Sequence, residues 1–202
     1  GTDWTRSTGF AFETTSDLVA PDGSSHATKL TGDGTPTTQR YIFDNAVSLP
    51  TATTTCCISC YLKPGTETVV QLFGAIGTFG TTVWANFTLT GSGSVTVPAG
   101  ATGVSDTGIE YDSNTGWYRC WIIADSVAAP ATSTLALCFT DNNANAVRNP
   151  ANASSNYFYI WGTQSEEGAF ISPYIETTGA SVARNADDLQ YGPENYSSVC
   201  SI

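Results

Sequence analysis

The sequence predicts an all-β fold, a two-sheet antiparallel β-sandwich. No stretch holds a helical apolar period, whereas short alternating runs recur along the chain, cut by Gly, Pro, Asp and Asn. Thr is abundant at 31 of 202 residues, with 19 Gly beside it. Thr suits the pleated surface of a strand, and Gly suits tight turns. Hydrophobic residues make up 41% of the chain and charged residues 12%, so there is enough apolar material for a core and too little charge for a disordered chain. Short strands at this spacing pack as two sheets.

In chain order the expected strands are Phe10–Thr14, His26–Leu30, Arg40–Phe43, Thr55–Lys63, Thr68–Ile76, Thr81–Thr90, Ile109–Asp112, Trp117–Ala124, Thr134–Thr140 and Asn156–Gln164. Turn chemistry separates them. Pro21-Asp22-Gly23 breaks the first from the second, and Gly32-Asp33-Gly34 the second from the third. Lys63-Pro64-Gly65 ends the fourth, Gly91-Ser92-Gly93 ends the sixth, and Ser113-Asn114-Thr115-Gly116 turns the seventh into the eighth. Asp141–Ser155, rich in Asn and Ala, reads as a surface loop. Residues 1–188 form one domain, and 189–202, with Gly192-Pro193, read as a C-terminal tail. No internal repeat stands out.

Alternation also sorts side chains onto faces. Tyr118, Cys120, Ile122 and Ala124 share one face of their strand; Trp117, Arg119, Trp121 and Ile123 share the other. Val83, Ala85, Phe87 and Leu89 oppose Trp84, Asn86 and Thr88. Cys56, Ile58, Cys60 and Leu62 oppose Cys57, Ser59, Tyr61 and Lys63. Phe158, Ile160 and Gly162 oppose Tyr157, Tyr159, Trp161 and Thr163. Each plain apolar face belongs in the core between the sheets. The mixed faces, if their strands share a sheet, line one aromatic and polar surface.

Such a surface suits a pyranose ring, which has an apolar C–H face and a rim of hydroxyls. Trp and Tyr supply flat apolar area, while Arg, Lys and Asn supply hydrogen bonds. The expected carbohydrate-contacting residues are Trp84, Trp117, Arg119 and Trp121, with Tyr61, Lys63, Asn86 and Trp161 beside them.

Other chemistries find less support. A net charge of -11 with only 7 Lys and Arg repels phosphate backbones, which argues against nucleic acid. No apolar run approaches a membrane span of about 18 residues, and Gly1–Phe12 carries no signal-peptide pattern. Met is absent, at position 1 included, as expected of a chain processed or excised from a longer one. A Ser-His-Asp arrangement would have to use His26, which reads as a structural strand residue. Glu110 with Asp112, and Glu166 with Glu167, are the candidate acids for a glycosidase or lyase, and rank behind non-catalytic binding. Cys57 and Cys60 form a C-x-x-C without a second pair. With Cys56, Cys120, Cys138 and Cys200 they read as small buried side chains rather than a metal site, and one cross-strand disulfide stays open. No cofactor is required; Asp22 and Asp187 are the candidate ligands for a structural calcium. Three glycosylation sequons begin at Asn86, Asn152 and Asn195 and are discounted without a secretory signal.

Several segments resemble a module of bacteriophage fibre, spike and tail proteins. They are Ala20-Pro21-Asp22-Gly23 with Ala27-Thr28-Lys29-Leu30, Tyr61-Leu62-Lys63-Pro64-Gly65, and Gly116-Trp117-Tyr118-Arg119-Cys120. Tyr159-Ile160-Trp161-Gly162-Thr163-Gln164-Ser165-Glu166-Glu167-Gly168 is the most specific. Ser172-Pro173-Tyr174-Ile175-Glu176-Thr177-Thr178-Gly179 and Val182-Ala183-Arg184-Asn185-Ala186-Asp187 close the set. The likeness runs from about residue 4 to residue 188, in order. The resemblance implies a concanavalin A-like (LamG-like) jelly roll, carbohydrate-binding and displayed on the virion surface, outside the cell. It supplies no catalytic residues. The chain departs from the pattern in its cysteines around Cys56–Cys60 and in its Ser172-Pro173-Tyr174 variant. The expected partners are a glycan and other virion subunits, with homo-oligomers among the options. The alternative is a virion decoration or fibre-assembly module whose aromatic face packs on another subunit.

Overall fold

A computed structural model describes residues 5–6, 10–15, 18–24, 27–34, 41–44, 53–74, 79–81, 83–126, 135–139, 155–177 and 182. Among them the chain forms β1 (Thr5–Arg6), β2 (Phe10–Thr15), β3 (Ala27–Gly32), β4 (Tyr41–Asp44), β5 (Thr55–Pro64), β6 (Val69–Gly74), β7 (Val83–Thr88), β8 (Ser94–Thr96), β9 (Val104–Asp112), β10 (Trp117–Asp125), β11 (Leu135–Phe139) and β12 (Tyr157–Glu167). The first sheet runs β1-β4-β11-β6-β7-β8 and the second β2-β3-β12-β5-β10-β9. Every paired neighbour is antiparallel. The chain changes sheet between β3, β4, β5 and β6 and again between β10, β11 and β12, which is a jelly-roll path.

The core lies between the inner faces. Leu30, Ile58, Cys60, Leu62, Tyr118, Cys120, Ile122, Phe158 and Ile160 come from the second sheet; Ile42, Val70, Leu72, Ala85 and Phe87 meet them from the first. On β5, β7, β10 and β12 these are the plain faces that alternation assigns to the interior. Tyr118 reaches across to donate its hydroxyl to the Gly91 carbonyl at 2.9 Å, tying the turn after β7 to the second sheet.

Two strands and half of a third go beyond the expected set. β1, β8 and β9 are the edge strands of their sheets, and β8 and the Val104–Gly108 part of β9 bury little. Their sequences therefore lack the apolar alternation that marks central strands. The Ser113–Gly116 turn closes the β9–β10 hairpin as expected: Gly116 sits at φ 73° and donates its N–H to the Asp112 carbonyl at 2.8 Å. β12 carries a bulge. Its pairing with β5 steps from Trp161↔Tyr61 to Gln164↔Ser59, with Gly162 at φ 58°. A left-handed Gly at this place is what one extra residue in a strand requires. The parity read for the end of β12 is corrected accordingly: Gln164 and Glu166, not Thr163, continue the Trp161 face.

His26, the Asp141–Ser154 part of the expected loop, Asp187 and the tail lie outside the described residues.

Candidate functional site

The outer face of the second sheet gathers most of the expected site. Register places Arg119 opposite Tyr61 and Tyr61 opposite Trp161, so β10, β5 and β12 present one lateral row. Trp121 lies opposite Ser59, and Lys63 opposite Tyr159. Tyr61 and Trp161 meet edge to face at 5.3 Å, and the Arg119 guanidinium stands 5.3 Å from the Tyr61 ring centre.

Trp84 and Asn86 do not join this row, and the expectation that they share its surface is corrected. Their strand, β7, belongs to the first sheet. Trp84 is closed in with Phe73 and Ala101. Asn86 is fully buried and accepts a 2.8 Å hydrogen bond from the Gln71 amide directly across from it on β6. That burial also removes Asn86 as a glycosylation acceptor. Trp117 is on the right face but sealed, at 1% exposure, with its indole N–H donated to the Val19 carbonyl at 3.0 Å. Val19 belongs to the Pro21-Asp22-Gly23 turn region, which folds over the start of β10.

A second cover comes from the chain after β12. Arg119 Nη2 donates to the Ser172 carbonyl. Glu166 Oε1 accepts the Ser172 N–H at 2.9 Å, and the Ser172 hydroxyl donates to Glu166 Oε2. Gln164 donates to the Ser172 hydroxyl at 3.2 Å and accepts the Ile175 N–H at 2.9 Å. Tyr174 then packs on Trp161 at 4.5 Å. Burial raises the Tyr174 phenol above its ordinary pKa, with the charges of Glu176 and Asp22 adding to the shift. Sequence reasoning missed Gln164, Glu166, Ser172 and Tyr174 as parts of this face. The available signal was Gly162, a glycine inside a strand pattern.

What stays accessible is narrower than the full face. Tyr61, Trp121, Trp161, Tyr174, Arg119 and Lys63 are half-buried. Lys63 donates to the Thr115 carbonyl at 2.6 Å and lies 5.9 Å from the Trp117 ring centre. Arg119 Nε is buried without a hydrogen-bond partner. Toward the edge, Trp121 faces Gly108 of β9, and a Cβ at Gly108 would overlap Cζ2 of the indole. Only glycine lets the ring lie down on the edge strand.

Glu110 and Asp112 lie two apart on one face of β9, roughly 6–7 Å along the strand, and Glu166 lies three strands away on β12. Asp112 serves the turn: it accepts the Thr115 hydroxyl at 2.6 Å and the Asn114 N–H at 2.9 Å, and these bonds, Thr115 first, lower its pKa. Glu167 accepts the Thr54 hydroxyl at 2.9 Å.

Cys57 and Cys60, three apart on an extended strand, face opposite sides of the sheet and cannot chelate one ion. Cys56, Cys57, Cys60 and Cys120 are free and buried. Cys60 and Cys120 are register partners on the core side. Burial pushes Cys57 and Cys60 up to about 12; Glu166 adds to the shift at Cys57, and Arg119 opposes it at both. Among the described residues no group of three or more His, Cys, Asp or Glu stands close enough to hold a metal. Asp22, one of the two calcium candidates, accepts the Ser24 N–H at 2.9 Å.

No family model and no curated protein matches the chain. Among solved structures, it is similar to the CBM22-2 xylan-binding domain from Paenibacillus barcinonensis, with 11% identity and a TM-score of 0.47, covering 83% of this chain and 92% of that one. It is also similar to the enzymatically active domain of bacteriophage CBA120 tailspike protein 4, with 10% identity and a TM-score of 0.46. That match covers 82% of this chain and 19% of the tailspike chain.

Proposed function

We propose that this chain is a carbohydrate-binding β-sandwich domain that takes a glycan on the outer face of its second sheet and performs no reaction on it. The observation that carries the reading is the set of half-buried rings from three adjacent strands, Trp121, Tyr61 and Trp161, interleaved with polar side chains. Rings at that level of burial are held rigid yet keep an edge or face for a ligand, and sugar C–H faces stack on such surfaces at little entropic cost. The resemblance to a phage fibre and spike module supports placement on a virion surface, outside the cell, where repeated copies turn weak sites into avid ones. The test is a glycan array with the chain displayed multivalently, beside Trp121→Ala. Binding by the parent and its loss in a folded Trp121→Ala protein is the expected result. Undiminished binding by the variant would remove this face as the site.

A second reading has its own observation. Val19 and Phe170, at 58% and 73% exposure, stand on the two loops that border the face. Exposed apolar side chains there suit packing against another virion subunit or a second copy. A persistent trimer or larger species in light scattering, dispersed by Phe170→Ser, would favour it.

A further inference from the structure

We infer that the ligand of this face is an uncharged glycan, seated on Trp121 where it crosses the β9 edge, with acidic polysaccharides disfavoured by the carboxylates around that ring. This inference rests on the glycan-binding reading and adds the charge class of the ligand.

The placement of Trp121 comes first. Its indole lies over Gly108, so the ring reaches from β10 onto the last strand of the sheet rather than toward the covered centre. The residues two before and two after Gly108 share its face, so Asp106 and Glu110 flank the ring, and both are exposed. Asp112 follows on the same face at the turn. A ring between two carboxylates offers a stacking surface with strong acceptors on either side. Sugar hydroxyls donate to carboxylates in charge-assisted bonds, which suits a neutral hexose or pentose unit.

The cations of this face are used elsewhere. Arg119 is paired by register with Glu110, yet its guanidinium turns to Tyr61 and the Ser172 carbonyl. Lys63 is held by the Thr115 carbonyl. Lys29 lies 4.6 Å from the Tyr157 ring centre, on the far side of β12 from β9. Among the described residues no salt bridge offsets Asp106 or Glu110, and the whole chain carries a net charge of -11. A uronate or sulfate over Trp121 would meet the like charges of Asp106 and Glu110 within a Debye length, and Arg119, the cation opposite Glu110 in register, is outnumbered by them.

The experiment measures binding of the full chain, displayed multivalently with a chelator present, to soluble xylan, mannan, β-glucan and galactan. It measures in parallel polygalacturonate, alginate and hyaluronate. The expected result is binding to at least one neutral polymer that salt does not weaken, with acidic polymers bound about tenfold less well or worse. Preferential binding of an acidic polymer overturns this inference and leaves the glycan reading standing. Failure to bind any polymer, by protein shown to be folded, overturns both. Gly108→Ala, which displaces the indole, should lower neutral-glycan affinity about tenfold or more; unchanged affinity overturns the Trp121 seat. Asp106→Asn with Glu110→Gln should move the acidic-to-neutral ratio toward one, and an unchanged ratio overturns the role of the carboxylates.

Discussion

Trp84 on the first sheet and Trp121 on the second both point away from the shared core, in strands of the same alternating pattern. Trp84 is closed in by Phe73 and Ala101, with Tyr41 packed alongside. Trp121 lies half-buried across an edge-strand glycine. Their polar neighbours differ in the same way. Gln71 and Asn86 hydrogen-bond each other beneath the surface, whereas Asp106 and Glu110 face solvent beside Trp121. A mixed aromatic-polar face is therefore one sequence signature with two physical outcomes, a secondary core or a binding surface. The segments that lie above the face decide between them.

Predictions that probe this contrast fall in order of expected size. Phe87→Ala removes a fully buried side chain that serves both sheets, and should cost about 3–5 kcal/mol in urea unfolding without favouring either face. Raising pH should also act on both sides of the second sheet. Cys57 and Cys60 hold their protons up to about 12 in the folded chain, against an ordinary value of 9.0. The native state thus binds more protons between those values. Stability from these thiols is fully present below pH 9 and declines as pH rises toward 12, readable as a falling unfolding midpoint. The same burial should leave Cys57 unmodified by iodoacetamide at pH 8, although it lies on the more accessible face.

Asn86→Ala removes the acceptor of the 2.8 Å hydrogen bond from the Gln71 amide. It should cost about 1–3 kcal/mol with glycan binding unchanged, and a loss of binding would show that the sealed face takes part. Trp121→Ala should do the reverse, with tenfold or greater weakening of binding, about 1.4 kcal/mol, at a smaller loss of stability. Lys63→Met should change stability by less than about 1 kcal/mol, because its bond to the Thr115 carbonyl is a single half-buried contact.

Much of this arrangement was legible in the sequence. Period-two alternation correctly split β5, β7 and β10 into core and outer faces, because side-chain parity is local. It could not say that β7 joins a different sheet from β5, β10 and β12, since sheet membership depends on which distant strands pair. Alternation alone therefore groups Trp84 and Asn86 with residues on the far side of the core. The polar Ser105-Asp106-Thr107-Gly108 half of β9 was missed because an edge strand needs no apolar alternation. In the sequence Ser172 and Tyr174 stand out only as part of a motif. Their place over Gln164 and Glu166 is set by side-chain hydrogen bonds that leave no periodic trace.

The Gly162 bulge gives β12 an unusual response to changes in length. Residues 164–167 keep their present sides only because one residue is spent in the bulge. Straightening the bulge at unchanged length would exchange the two sides of everything after it: Gln164 would come opposite Ile58 on the core side, and Ser165 opposite Cys57 on the outer side. Deleting Thr163 would instead remove the extra residue and leave Gln164 opposite Ser59 and Glu166 opposite Cys57, in an unbroken ladder. Substitutions along this strand act one side chain at a time, whereas the bulge acts as a shift of phase. Related chains should therefore carry either the bulge with its glycine or one residue fewer between Trp161 and Gln164.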